Sequence, residues 1–107
     1  MARDPILVVI FLRGGADGLA LVSPASDPDF IAARPETLRV LRHGDAAGRT
    51  IRQGIADVDF RFHPAAAPLA DLYDAGDLSL IHAAGLPEAT RSHFDAQLYL
   101  DLGTPGT

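Results

Sequence analysis

A chain of 107 residues holds one hydrophobic core at most, since single domains commonly run to about 100–150 residues. With 48% hydrophobic and 21% charged residues it lies outside the composition of disordered chains. A formal charge of -5, from 9 basic and 14 acidic side chains, argues against nucleic acid, whose phosphates demand a basic face.

Missing residue types narrow the chemistry further. Every basic residue is Arg, so P-loop lysines, Schiff bases and lysine general bases are excluded. The lack of Cys removes thiol nucleophiles, thiolate metal sites and disulfides, and leaves the redox compartment open. The lack of Asn removes any glycosylation sequon.

Residues 6–12, Ile-Leu-Val-Val-Ile-Phe-Leu, are continuously apolar and rich in β-branched side chains, with Pro5 close before and Gly14-Gly15 close after. They predict a strand buried on both faces, as inside a parallel sheet. The run is far shorter than the roughly 20 residues that span a bilayer, and no basic leader precedes it. Neither a transmembrane nor a signal segment is expected. Arg13-Gly14-Gly15-Ala16-Asp17-Gly18 follows, a sharply turning loop in which backbone can approach a ligand.

Asp27-Pro28 predicts a short helix over 28–33, capped by Asp27 with Pro at its first position. Val58, Phe60 and Phe62 alternate with Asp57, Asp59 and Arg61, predicting a half-exposed strand that pairs with residues 38–41. The connection 43–53, polar and rich in Arg and Gly, is expected as a mobile loop. His63-Pro64 begins the clearest helix, with Ala66, Leu69, Ala70, Leu72 and Tyr73 at helical spacing and Gly76 closing it; Pro68 is expected to push its regular start later. Residues 78–84 predict a second apolar strand. Ser92 is expected to cap a last helix, with Asp95 at capping-box spacing and Phe94, Leu98 and Leu102 along it. Residues 103–107 end that helix and read as a linker onward.

Two apolar strands around a helix make a βαβ unit, whose right-handed crossover sets both strands parallel and gives an α/β fold class. Residues 14–18 and 85–93 then leave the carboxyl ends of the strands on one rim, where open α/β sheets bind ligands. The first loop offers Asp17; the second offers Thr90, Arg91, Ser92 and His93. A carboxylate beside a helix-initial hydroxyl suits metal-assisted attack on an anionic ester. Asp17 would hold the metal, Ser92 or Thr90 would attack, Arg91 would clamp the anion, and His93 would serve as a further ligand or acid/base. The plainer readings are a turn residue for Asp17, a helix cap for Ser92 and a solvated helix start for Arg91 and His93. The glycine loop lacks the spacing of the dinucleotide fingerprint and of the P-loop. His82 reads as a hydrogen-bonded core residue, His63 as a helix-entry residue, His43 as exposed, and Asp71, Asp74 and Asp77 as a solvated face.

Three motifs follow one another in the chain: residues 11–19 (Phe-Leu-Arg-Gly-Gly-Ala-Asp-Gly-Leu); Phe62-His63-Pro64-Ala65 with Ala67-Pro68-Leu69; and residues 90–97 (Thr-Arg-Ser-His-Phe-Asp-Ala-Gln). In this order they resemble the N-terminal part of the bacterial family called domain of unknown function 1501. The resemblance runs from residue 6 to residue 106 and is weakest over 42–57. That family is similar to the alkaline phosphatase and sulfatase superfamily, which implies a parallel-sheet α/β domain of which residues 1–107 are an incomplete N-terminal portion.

The resemblance further implies Asp17 as a metal ligand, Ser92 or Thr90 as the nucleophile, a divalent ion (Zn, Mn, Mg or Ca) and an anionic small-molecule ester as substrate. The missing Cys speaks against a formylglycine sulfatase unless Ser92 were converted. The other metal ligands would come from downstream sequence, so the chain is expected to be inactive alone. Relatives commonly carry a twin-arginine export signal, which implies the periplasm or cell envelope for a full-length relative, while this chain shows no such signal. The alternative expectation is a non-catalytic exported envelope protein that keeps the fold and uses the rim for binding or assembly.

Overall fold

Residues 3–51 and 57–103 are described by the structure, a computed structural model. Residues 52–53 of the expected loop and 104–107 of the expected linker lie outside them. The fold is mixed α/β and divides into two units: Asp17–His82, and Met1–Ala16 together with Ala83–Thr107.

The Asp17–His82 unit opens with α1 (Gly18–Leu21) and β1 (Val22–Pro24). Helix α2 (Pro28–Ala33) forms as the sequence predicts: Asp27 Oδ1 accepts the Phe30 N–H at 2.9 Å, and Pro28 occupies a position whose missing N–H leaves no bond unmade. A 3-10 turn at Glu36–Leu38, β2 (Arg49–Thr50) and β3 (Phe60–Phe62) come next. A second 3-10 turn, Pro64–Ala66, leads into α3 (Ala67–Asp74). The regular helix thus starts one residue before Pro68, within whose first turn a proline is tolerated. Gly76, at φ +83°, takes the left-handed conformation that closes it.

The sheet has the order β1-β3-β2, with both pairings antiparallel and both flanking strands meeting Phe62: Val22↔Phe62 and Arg49↔Phe62. Phe62 is 1% exposed and packs with Ile51, Ala66 and Ala70, flanked by Val22, Phe60, Tyr73, Leu78 and Leu80. Ala66 and Ala70 lie four apart on one helix face, and their small side chains let α3 settle against the sheet. The Tyr73 ring meets Phe62 edge-on at 6.2 Å.

In this unit two elements differ from the sequence expectation. Residues 38–41 do not pair with β3; Leu38 ends a 3-10 turn at 65% exposure, and the pairing goes to β2, inside the stretch read as a loop. The cause is Gly48. Its N–H donates to the Leu41 carbonyl at 2.8 Å, and it lies so close to β3 that a Cβ would stand 2.8 Å from the Phe62 carbonyl oxygen. A two-residue strand is too short to show an alternating pattern. Residues 78–84 are likewise not a strand, although Leu78 and Leu80 turn to the core while Ile81 is 85% exposed. His82 lays its ring on Phe60 at 4.1 Å between centroids, so its packing is aromatic. Asp71 and Asp74, read as a solvated face, both bind Arg49, which also donates to the Ala67 carbonyl.

In the other unit, α4 (His93–Leu102) forms where the sequence places it. Ser92 Oγ accepts the Asp95 N–H at 3.2 Å, and Gly103 at φ +72° ends the helix. Arg13 reaches α4, donating to both Asp101 oxygens at 3.0 Å and to Gln97 Oε1 at 3.2 Å. Residues 6–12 are not a strand and are exposed throughout, with Ile6 at 89% and Leu7 at 87%. A strand takes its hydrogen bonds from neighbours, and no described residue pairs with this run. None of this unit's described residues is buried. Among the described residues no helix is long and apolar enough to cross a membrane.

Candidate functional site

Asp17 is fixed by three sets of contacts. Its Oδ1 accepts the Leu19 N–H at 3.0 Å, and its carbonyl accepts from Ala20 and Leu21, so it caps α1. Arg34 grips the carboxylate with two bonds, Nη1 to Oδ2 at 2.9 Å and Nη2 to Oδ1 at 3.2 Å, and lies over the Phe30 ring. Of about four lone-pair positions on a carboxylate, three are taken, which leaves one on Oδ2. The turn reading of Asp17 therefore holds, with a helix cap and an ion pair added that the sequence did not signal.

The Arg34 hydrogen bonds are the largest influence on the Asp17 carboxyl and hold it below its ordinary value of 3.8, helped by the nearby positive charge and the α1 N–H groups and opposed by burial. A lowered folded value means that the charged form stabilises the fold above about pH 4 and that this contribution is lost as pH falls through the folded value. Denaturant midpoints measured between about pH 5 and pH 2 are expected to fall more steeply in the native chain than in Arg34→Gln. The effect should be small, because the Asp17 side chain is half exposed. Parallel curves would show that the pair does not act on stability.

Asp17 lines an open cavity of about 500 Å³ together with His63, Leu21, Ala66, Pro68 and Leu69. Backbone bonds set its shape. The His63 N–H donates to the Leu21 carbonyl at 2.8 Å, joining the end of α1 to the start of the 3-10 turn. The His63 ring caps that turn, Nδ1 accepting the Ala65 N–H at 3.1 Å. The sequence marks His63 only as a helix-entry residue; the Leu21–His63 bond that brings it to the same cavity as Asp17 spans a loop that no local pattern reports.

Thr90, Arg91, Ser92 and His93 belong to the other unit and stand together at the start of α4. Thr90 Oγ1 accepts the Ser92 N–H at 3.1 Å, which turns the chain into the helix. The Ser92 hydroxyl accepts from Asp95 and donates to none of the described residues. Arg91 and His93 are exposed, and Arg91 makes no ion pair among the described residues. The ten-residue α4 directs its free N–H groups to this point, a setting that favours an anion.

A divalent ion needs several carboxylate or imidazole donors at once. Among the described residues no group of three or more such side chains is gathered to hold one. Asp17 has one lone pair to give. Comparison with protein-family models, with curated proteins and with solved structures gives no match.

Proposed function

We propose that this chain is the N-terminal portion of an α/β hydrolase domain of the alkaline phosphatase type, acting on phosphate or sulfate esters, with residues 6–12 as a buried strand of its parallel sheet. The observation that carries the reading is Ser92: a hydroxyl at the N-terminus of a ten-residue helix that donates to none of the described residues, beside an Arg91 that makes no ion pair among them. The exposed apolar run supports the sheet, because residues 6–12 gain free energy only when covered on both faces and bonded at both edges.

In this reading Ser92 Oγ attacks the phosphorus or sulfur and gives its proton to solvent; the bond from phosphorus or sulfur to the ester oxygen breaks, the leaving oxygen takes a proton from solvent to depart as the alcohol, and water then displaces Oγ to release phosphate or sulfate and restore the serine. Arg91 and the first α4 N–H groups hold the non-bridging oxygens. Thr90 positions Ser92 through the bond to its N–H. The divalent metal belongs to the proposal; Asp17 in one unit and His93 in the other are each a candidate ligand that requires partners from elsewhere, and no step is assigned to the metal. Export to the periplasm or envelope is part of the same proposal.

The test is turnover of an aryl phosphate and an aryl sulfate by the whole gene product that carries this chain, with and without divalent ions. Ser92→Ala is expected to lower turnover by about 10³-fold or more, with Thr90→Ala milder. Asp17→Asn, which can still cap α1, separates a site role from a folding role. Turnover that survives both Ser92→Ala and Thr90→Ala would remove this helix start from the chemistry. A gene product with no turnover and no bound metal would favour the non-catalytic binding reading.

A further inference from the structure

We propose that the cavity between α1 and the start of α3 is a binding site for an apolar alcohol or phenol, whose hydroxyl donates to Asp17 Oδ2 and accepts from His63 Nε2–H. The inference goes beyond the hydrolase reading and does not depend on it, since every residue that it uses belongs to the Asp17–His82 unit.

The chemistry follows from what each polar group has already spent. His63 Nδ1 accepts the Ala65 N–H, so it carries no proton, and the ring proton sits on Nε2. A nitrogen in that state can only donate. Asp17 supplies the complementary acceptor: Leu19 and Arg34 occupy three of its lone pairs, and the remaining one on Oδ2 can only accept. The two Arg34 hydrogen bonds fix the orientation of the carboxylate and so the direction of that acceptor.

A hydroxyl is the small group that meets one donor and one acceptor together. An ammonium group would satisfy Asp17 but present its own N–H bonds to His63. A carboxylate would satisfy His63 but face the Asp17 charge. Around these two groups the walls of this open depression are Leu21, Ala66, Pro68 and Leu69, which give an apolar ring a surface to lie on. His63 is thereby a binding residue and not merely a helix-entry residue, and its ring is oriented by the Ala65 bond.

The probes are three molecules of one shape: 2-naphthol, 2-naphthoate and 2-naphthylmethylammonium. Each is titrated into the full isotope-labelled chain at neutral pH with a chelator present, because a metal on Asp17 would compete for the same lone pair. Binding is followed by the amide shifts of Leu21 and Leu69 and by the His63 ring nitrogens. Naphthol is expected to bind at least tenfold more tightly than either charged analogue and to move the Nε2 resonance more than Nδ1. His63→Asn places an amide oxygen where Nδ1 caps the turn but lacks the distal donor, so it should stay folded and bind naphthol roughly three- to tenfold more weakly. Equal affinity for the three probes, no binding at all, or unchanged naphthol binding in a folded His63→Asn would overturn the proposal. Hydrolysis is not read in this experiment, so its failure leaves the Ser92 test standing, and an inactive Ser92 leaves this one standing.

Discussion

Phe62→Ala is expected to cost about 3–5 kcal/mol and to unfold the Asp17–His82 unit, because a buried aromatic truncation loses both transfer free energy and packing. Phe62 is 1% exposed, sits in the central strand, is paired to both neighbours, and holds the Tyr73 ring edge-on. Small domains have a total stability of about 5–15 kcal/mol, so one loss of this size consumes much of it. Among the described residues, the other buried members of its cluster are Ile51, Ala66 and Ala70, so Phe62 is the largest side chain at its centre. Thermal melts followed by near-ultraviolet circular dichroism at the tyrosines check this. A melting temperature within a degree or two of the native chain would place the stabilising core elsewhere.

Gly48→Ala is expected to destabilise the same unit by about 1–3 kcal/mol through overpacking. A Cβ at that position overlaps Val40 Cγ1 and stands 2.8 Å from the Phe62 carbonyl oxygen, which the sheet cannot release without losing the β3 pairing. Its own backbone conformation is not left-handed, so the cost is steric. Gly44 offers the contrast: its φ of +94° disfavours Ala, yet a Cβ there meets nothing within 4 Å. Adding Val40→Ala to Gly48→Ala should restore part of the loss, since it removes the side-chain overlap but not the approach to the carbonyl. Urea midpoints of the three variants measure this; a Gly48→Ala chain as stable as the native one would mean that β2 and residue 40 are not packed as described.

The elements that the sequence announces are those governed by neighbours in the chain. Asp27-Pro28 specifies α2, and Ser92, Asp95 and Gly103 specify both ends of α4, because caps act within a single turn. The alternation around Phe60 and Phe62 reveals β3, since a strand with one buried face repeats every two residues. β2 is illegible, for two residues carry no period and its position depends on Gly48 approaching a strand 13 residues away. Residues 6–12 carry a strong strand signal, yet a strand also requires partners, and the signal says nothing of where they come from.

The site residues divide in the same way. Ser92 and Asp17 are legible as cap and turn residues, and both do that work. What composition and spacing do not disclose is the Arg34 clamp on Asp17, 17 positions away, or the arrival of His63 beside it. Both depend on α1, α2 and β3 being assembled first. The apolar run is the largest unspent free energy in the chain: burying each such side chain contributes about 1.5–3 kcal/mol, so covering all of them is worth on the order of ten kcal/mol.

The role given to Ser92 is open to direct chemical trapping. The gene product that carries this chain is mixed with an aryl phosphate, quenched in acid within the turnover time, digested and mapped by mass spectrometry. A phosphoryl group on the peptide that begins at Ser92, absent from Ser92→Ala, is the predicted result. Continued turnover in Ser92→Ala, with the native peptide unmodified, would contradict it.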